Sequence, residues 1–187
     1  MNLLAALTPT GALIVIEPAL KLTSRRLHAL RDQLLTERRA AVVAPCTSWT
    51  GGCPCLVNDA DWCHAVRPHL LPLSCRQIAT FTGLRQFELK WSYLTLTTEP
   101  HRAAEYTDAW RVVSDLMKPK GKFEIFLCGA AGRCQATLAK RAKSAANESF
   151  KKLRRGQLVW LADADITPAR IQFQPQTRVT IDRSRDL

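Results

Sequence analysis

No hydrophobic run in this 187-residue chain approaches the length of a membrane span. The apolar opening MNLLAALTPTGALIVIEPAL has no basic residue at its front. Thr8, Pro9, Thr10 and Gly11 interrupt it, and Glu17 and Pro18 close it. That pattern is expected of neither a secretory signal nor a mitochondrial presequence. Glycine is sparse: eight residues are scattered, and Gly51-Gly52 is the single adjacent pair, so no P-loop is present. No nucleophile–base pair and no paired-carboxylate arrangement stands out, and there are no internal repeats. Acidic residues are also short, 16 against 27 Lys and Arg.

What is present in quantity is apolar side chain, 47% of the residues, which makes the chain globular rather than disordered. The positive charge is concentrated. Residues 1–110 hold 11 Lys/Arg and 9 Asp/Glu, whereas residues 111–187 hold 16 and 7, so the second part carries +9 of the net +11. Such asymmetry points to a polyanionic partner, RNA before an anionic membrane.

The order of elements suits an α/β layer. LLAAL reads as a helix end. ALIVIE reads as a strand buried on both faces. Thr23 and Ser24 are candidate caps for SRRLHALRDQLLTERR, where Leu27, Leu30, Leu34 and Leu35 repeat at helical spacing with Arg and Asp on the other face. AVVAP is a second short strand, LSCRQIATFTGL a short helix, and QFELKWSYLTLT a strand. Residues 99–108 are the best boundary, dividing 1–108 from 109–187. Beyond it GKFEIFLC and RCQATLAK flank GAAG as a hairpin. Asn147 is a candidate cap for NESFKKLRR, and QLVWL, RIQFQ and RVTI complete a small, mostly β unit.

Seven cysteines is an odd number, and without an export signal disulfides are a poor first explanation. Four of them fall in the loop 45–64: Cys46, six residues, Cys53-Pro54-Cys55, seven residues, Cys63-His64. Thiolates are soft ligands suited to zinc or to iron–sulfur clusters, and a loop lets several converge. The spacing selects metal without selecting which metal. Three of the four plus one distant residue would complete a site, with Cys128, Cys134 and the adjacent His64 as candidates. Cys75, inside a predicted helix, is assigned to the core.

APCTSWTGGCPCL followed by DWCH resembles the signature of the ribosomal small-subunit methyltransferase-like family, which includes the Rsm-type mitochondrial assembly factors and bacterial relatives. GALIVIEPA is similar to that family's fifth methyltransferase strand, SRRLHALRDQLL to the helix after it, LKWSYLTL to its Lys-Phe-Ser-Tyr strand, and PKGKFEIFLCGAAGR to its Cys-Gly hairpin. The resemblance spans roughly residues 3–160. It implies a four-iron–four-sulfur cluster on Cys46, Cys53, Cys63 and Cys128, with zinc the alternative metal. Cys55 is an extra cysteine that could replace Cys53, and Cys134 has no role in the pattern.

The resemblance further implies the C-terminal part of a class I, Rossmann-like methyltransferase fold followed by the small β unit. That fold binds S-adenosylmethionine with a Gly-rich turn, and no G-x-G-x-G occurs here. On this reading the cofactor-binding half is missing, there is no cofactor-binding residue, and the catalytic residues are unknown. Glu17 is a strand-terminal residue rather than a catalytic one. The chain alone is expected not to methylate unless another chain supplies the N-terminal half. An in-frame Gly-rich cofactor motif upstream of Met1 would separate an assembly module derived from this family from an active methyltransferase whose N-terminal half is missing here. The alternatives are a zinc-stabilised nucleic-acid-binding domain and the C-terminal part of an active RNA methyltransferase. The implied location is the bacterial cytoplasm, or the mitochondrial matrix in a eukaryote.

Lys140, Arg141, Lys143, Lys151, Lys152, Arg154 and Arg155 fall within 16 residues, opposed by Glu148 alone. They are the expected contacts to small-subunit ribosomal RNA or the assembling subunit. Phe123, Phe126, Phe150 and Trp160 nearby are assigned to core packing first.

Overall fold

The structure is a computed structural model, and it describes residues 3–47, 51–83, 88–99, 106 and 108–182. Among these residues the chain forms two helices and eleven strands in two sheets, so it is mixed α/β with strands dominant.

The first sheet is organised around one long strand. β1 (Leu13–Pro18), β2 (Ala41–Ala44) and β3 (Ala65–Pro68) all pair antiparallel with β4 (Glu88–Thr97). The order β1-β4-β2 leaves β1 and β2 running in the same direction with β4 between them. Helix α1 (Lys21–Thr36) joins those two strands. It packs Leu27 and Leu34 on Leu94 and Leu96 of β4 and on Val42 of β2, with Leu13 and Val15 at the margin. Each such leucine, fully buried, contributes about 1.5–3 kcal/mol. Helix α2 (Leu73–Thr82) buries no residue and ends at Gly83, whose left-handed φ of 72° is the usual helix stop.

β1 departs from the expectation of a strand buried on both faces. Its burial alternates, and Ile14 and Ile16, which point away from α1, are 61% and 65% exposed. A continuous apolar run does not reveal that only one of its faces meets a helix.

The second sheet has the order β11-β8-β5-β6-β7-β10-β9. Its strands are β5 (Trp110–Val112), β6 (Lys122–Gly129), β7 (Gly132–Ala139), β8 (Leu158–Ala162), β9 (Asp165–Thr167), β10 (Arg170–Gln172) and β11 (Arg178–Ile181). Every pairing is antiparallel except β7 with β10. One cluster of Ile125, Leu127, Leu138, Phe150, Val159 and Phe173 forms its core. Phe150 and Phe173 meet edge to face at 4.6 Å.

The GAAG hairpin is present. β6 and β7 pair from Lys122↔Ala139 to Gly129↔Gly132, and Ala130-Ala131 make the turn. Both flanking glycines are needed, for different reasons. Gly132 has a φ of +86°, and a Cβ on Gly129 would stand 2.9 Å from the Trp110 ring.

Two predicted caps do other work. The N-cap of α1 is Leu20, without a side-chain bond. Thr23 instead donates to Pro18 O at 2.7 Å, and Ser24 is buried inside the first turn of the helix. Asn147 stands at the N-cap of a 3-10 turn, Glu148–Lys152, but its side chain makes no capping bond there. Fully buried, its amide donates to Ala142 O and Gln174 O and accepts from Ser144 N, stitching two loops together. The expected boundary at 99–108 lies largely outside the described residues.

Gly129→Ala should lower stability in urea unfolding by about 1–3 kcal/mol, the usual cost of overpacking, because Trp110 has to move. The slope of unfolding free energy against urea should not change.

Candidate metal centre

Among its described residues the cysteine loop has one short 3-10 turn, Pro54–Leu56, and α1 supplies further hydrogen-bond partners. The buried residues of α1 are Ser24, Leu27, His28, Arg31 and Leu34, so three polar side chains lie in the stripe that faces inward. Leu30, predicted to belong to that stripe, is exposed instead.

The polar row meets the loop group by group. Ser24 Oγ donates to Cys63 O at 2.6 Å, and Ser92 Oγ of β4 donates to the same oxygen at 2.8 Å. Asp32 Oδ2 accepts from Cys53 N at 2.8 Å, and Arg31 Nη1 donates to Gly51 O at 3.3 Å.

Arg25 does most. Its Nη1 donates to Cys55 O, Asn58 O and Asp61 O at 2.9, 2.9 and 3.0 Å, and its Nη2 to Leu56 O at 3.2 Å and Asp59 Oδ1 at 2.9 Å. A planar guanidinium with five donors is the one side chain that can gather so many carbonyls at once. From the second sheet, Arg133 pairs with Asp61, and Pro54 lies 3.8 Å from the Cβ position of Gly132. The loop is therefore held between α1 and the β6–β7 hairpin.

Cys46, Cys53, Cys55, Cys63 and Cys128 all line one cavity of about 280 Å³, with Arg31, His64, Phe126, Arg133 and Arg155. Cys128 enters from the end of β6, so the hairpin does reach back to the loop. All seven cysteines are free.

The thiols feel one another. Burial, then the thiols of Cys46, Cys53 and Cys128, pushes Cys63 well above the ordinary range. Burial, then Cys46 and Cys53, pushes Cys128 up to about 12. Burial raises Cys46 while the Arg31 guanidinium pulls it back. For Cys53 the bond with Cys55 is the largest cause of a similar rise, followed by burial. Held this high, the four are neutral thiols at pH 7 until a cation replaces their protons.

Two scales of site can be told apart by spacing. A single zinc ion, at about 2.3 Å from each sulfur, holds its thiolates about 3.8 Å apart. Among the described residues, one group of three candidate ligands lies within 4.8 Å: His28, Cys53 and Cys55. Cys46, Cys63 and Cys128 share the cavity but belong to no such compact group. Sequence reasoning does not single out His28, because a lone histidine on a leucine-rich helix looks like an ordinary helical polar residue. The available signal is its place four residues after Ser24 and one after Leu27, in the buried stripe.

The remaining candidates separate clearly. Cys134, fully buried, belongs to the core of the second sheet and does not line the cavity. Cys75, assigned to the core from sequence, is exposed on α2, a helix that buries none of its residues. His64 lines the cavity and stacks on Trp62 at 5.7 Å, and it lies outside the compact group. Burial, then the Arg155 charge, lowers its pKa and favours neutral imidazole.

Of the basic run, Lys140, Arg141, Lys143, Lys152 and Arg154 are exposed and Lys151 is half-buried. Arg155 differs: its side chain is 17% exposed, lies 3.9 Å from Asp115, and lines the metal cavity. Glu17 ends β1 and lines none of the described cavities. No helix among the described residues is long and apolar enough to cross a membrane.

A family model described as mitochondrial small ribosomal subunit Rsm22 matches residues 2–160. No curated protein matches the chain.

Arg25→Ala leaves the four loop carbonyls without their donor and should cost about 1.5–3 kcal/mol in thermal or urea unfolding. Arg25→Lys should recover little of it, since one ammonium cannot span Cys55 O to Asp61 O. Circular dichroism should show both variants folded, with metal content reduced after purification.

Proposed function

The chain belongs to the Rsm22 family of the mitochondrial small ribosomal subunit, and from that membership we propose that it is an iron–sulfur-binding, methyltransferase-like module acting on or with small-subunit ribosomal RNA. The observation that carries the reading is the convergence of Cys46, Cys53, Cys63 and Cys128 on one cavity, with three of them outside any compact mononuclear group. A cluster of several irons needs its four thiolates spread around it, and soft thiolate ligands suit iron–sulfur chemistry. The charges of Arg31, Arg133 and Arg155 on the cavity wall suit an anionic cluster. Cys53 takes the second ligand position in this reading, with Cys55, whose Sγ lies 3.3 Å from that of Cys53 on the same cavity, as the alternative.

The bound cluster would supply a cross-link between the loop and the hairpin. Its part in this reading is structural or sensory. The order β1-β4-β2, with α1 joining two strands that run the same way, supports reading this part as an α/β layer. The open face at Ile14 and Ile16 fits a layer that continues against other protein. Binding of S-adenosylmethionine belongs to that other part, in this chain's context or on another chain. Work takes place where the small ribosomal subunit is built, the mitochondrial matrix or a bacterial cytoplasm.

The RNA-facing surface is the run Lys140, Arg141, Lys143, Lys151, Lys152 and Arg154, exposed except for half-buried Lys151, with Arg155 turned toward the cavity. Cationic contact with phosphates releases counterions and makes binding steeply salt-dependent.

Anaerobic reconstitution with iron and sulfide should give four of each per chain, with a broad visible charge-transfer band that Cys46→Ser, Cys63→Ser or Cys128→Ser abolishes. Failure of the metal-freed chain to take up iron and sulfide would contradict the reading. For RNA, charge reversal at Lys143, Lys151, Lys152 and Arg154 should weaken binding to small-subunit RNA. It should also flatten the dependence of log K on log salt by about 0.9 for each phosphate no longer neutralised. Unchanged affinity would rule this surface out as the RNA-binding face.

A further inference from the structure

Cys55 and His28 are left over by the cluster, and their surroundings are too specific for packing alone. His28 is 1% exposed, and its Nδ1 is buried without a hydrogen-bond partner. Buried polar nitrogens are rarely orphaned, so this one calls for an explanation. Cys53 and Cys55 are buried too, with their Sγ atoms 3.3 Å apart. All three ligand atoms lie within 4.8 Å of one another.

We infer that His28, Cys53 and Cys55 form a second, mononuclear site for a thiophilic divalent cation such as zinc, separate from the cluster except for the shared Cys53. Two thiolates and an imidazole are a familiar three-ligand set for zinc, with the fourth position left to water. The donors are already close to the spacing that one tetrahedral ion imposes. On binding, Cys53 and Cys55 each release a proton to solvent, and the dication is balanced by two thiolates. The backbone for it is built in. Arg25 holds Cys55 O, Asp32 holds Cys53 N, and Pro54 fixes the link between them.

The shared cysteine has a consequence. Cys53 cannot serve a lone cation and a four-thiolate cluster in their separate geometries at once. Occupation of the small site therefore excludes the cluster, and a cluster-free chain holding one cation is a distinct folded state. This part rests on the cluster reading above; the small site itself does not.

The test uses the full chain, reduced and freed of metal under anaerobic conditions, with cobalt(II) as the probe. One equivalent should give the sulfur-to-cobalt charge-transfer band and the d–d bands of a tetrahedral ion. His28→Ala and Cys55→Ser should weaken cobalt binding about 100-fold or more, at the top of the range seen even for groups one shell removed from a metal. Cys46→Ser and Cys128→Ser, which remove cluster ligands, should leave it unchanged. His28→Cys guards against simple misfolding, because a third thiolate should keep cobalt bound and strengthen the charge-transfer band.

Cobalt binding that survives Cys55→Ser and His28→Ala but is lost in Cys46→Ser and Cys128→Ser overturns the inference, as does His28→Cys with no change in the band. Iron and sulfide added to the cobalt-loaded chain should assemble a cluster only after the cobalt is chelated. Assembly beside retained cobalt overturns the exclusion. Failure of iron and sulfide to assemble on the metal-free chain, with cobalt behaving as described, refutes the cluster reading and leaves the small site standing.

Discussion

Everything at the candidate metal centre depends on a polar row along one face of α1. A loop that carries Cys46, Cys53, Cys55 and Cys63 to one cavity cannot satisfy its own backbone by repetition. Buried carbonyls left without donors cost about 1–3 kcal/mol each. Ser24, Arg25 and Arg31 donate to those carbonyls from a single helix, and Asp32 on the same helix accepts from Cys53 N. The same helix packs Leu27 and Leu34 against β4. One element therefore ties the core of the first sheet to the orientation of Cys53, Cys55 and Cys63, and the cysteines inherit the rigidity of a packed helix rather than the freedom of a loop.

The second constraint comes from the other sheet. Cys128 ends a strand whose turn is so tight that Gly129 lies against Trp110 and Gly132 adopts a left-handed backbone. That places a thiol from the basic β unit on the same cavity as the loop cysteines. Burial, then the neighbouring thiols, raises the pKa of Cys63 and Cys128, so both side chains favour the protonated thiol over the bare thiolate. On the proposed reading, metal binding and the mutual position of the two sheets would be one equilibrium, the linkage expected when ligands come from separate parts of a chain.

Much of this is legible in the sequence where the signal is chemical. Cys-Pro-Cys, the Trp-Cys-His triplet and the GAAG hairpin lead to the loop and to Cys128, and the likeness to the Rsm-type family agrees with the matched family. Strand and helix positions also follow from periodicity for β2, β4, α1 and the β6–β7 pair. What the sequence hides is direction. ALIVIE does not say which of its faces is covered, so the exposure of Ile14 and Ile16 is not foreseen. In α1 the leucine repeat suggests a face through Leu30, whereas the buried stripe runs through Ser24, His28 and Arg31 because the partner there is a polar loop. β4 intervenes between β1 and β2, a non-local pairing that no local pattern encodes. Arg155, one of a run of like charges, is turned inward by its place at the cavity rim.

If one metal centre joins the loop 51–63 to the hairpin of the second sheet, loading it must steady both at once. Hydrogen exchange read by mass spectrometry, on the full chain before and after anaerobic cluster loading, tests this most directly. Amides of residues 51–63 and of β6 and β7 near Cys128 should gain protection together, and Cys128→Ser should remove both gains. Protection confined to the loop, with the hairpin unmoved by loading, would contradict a shared centre.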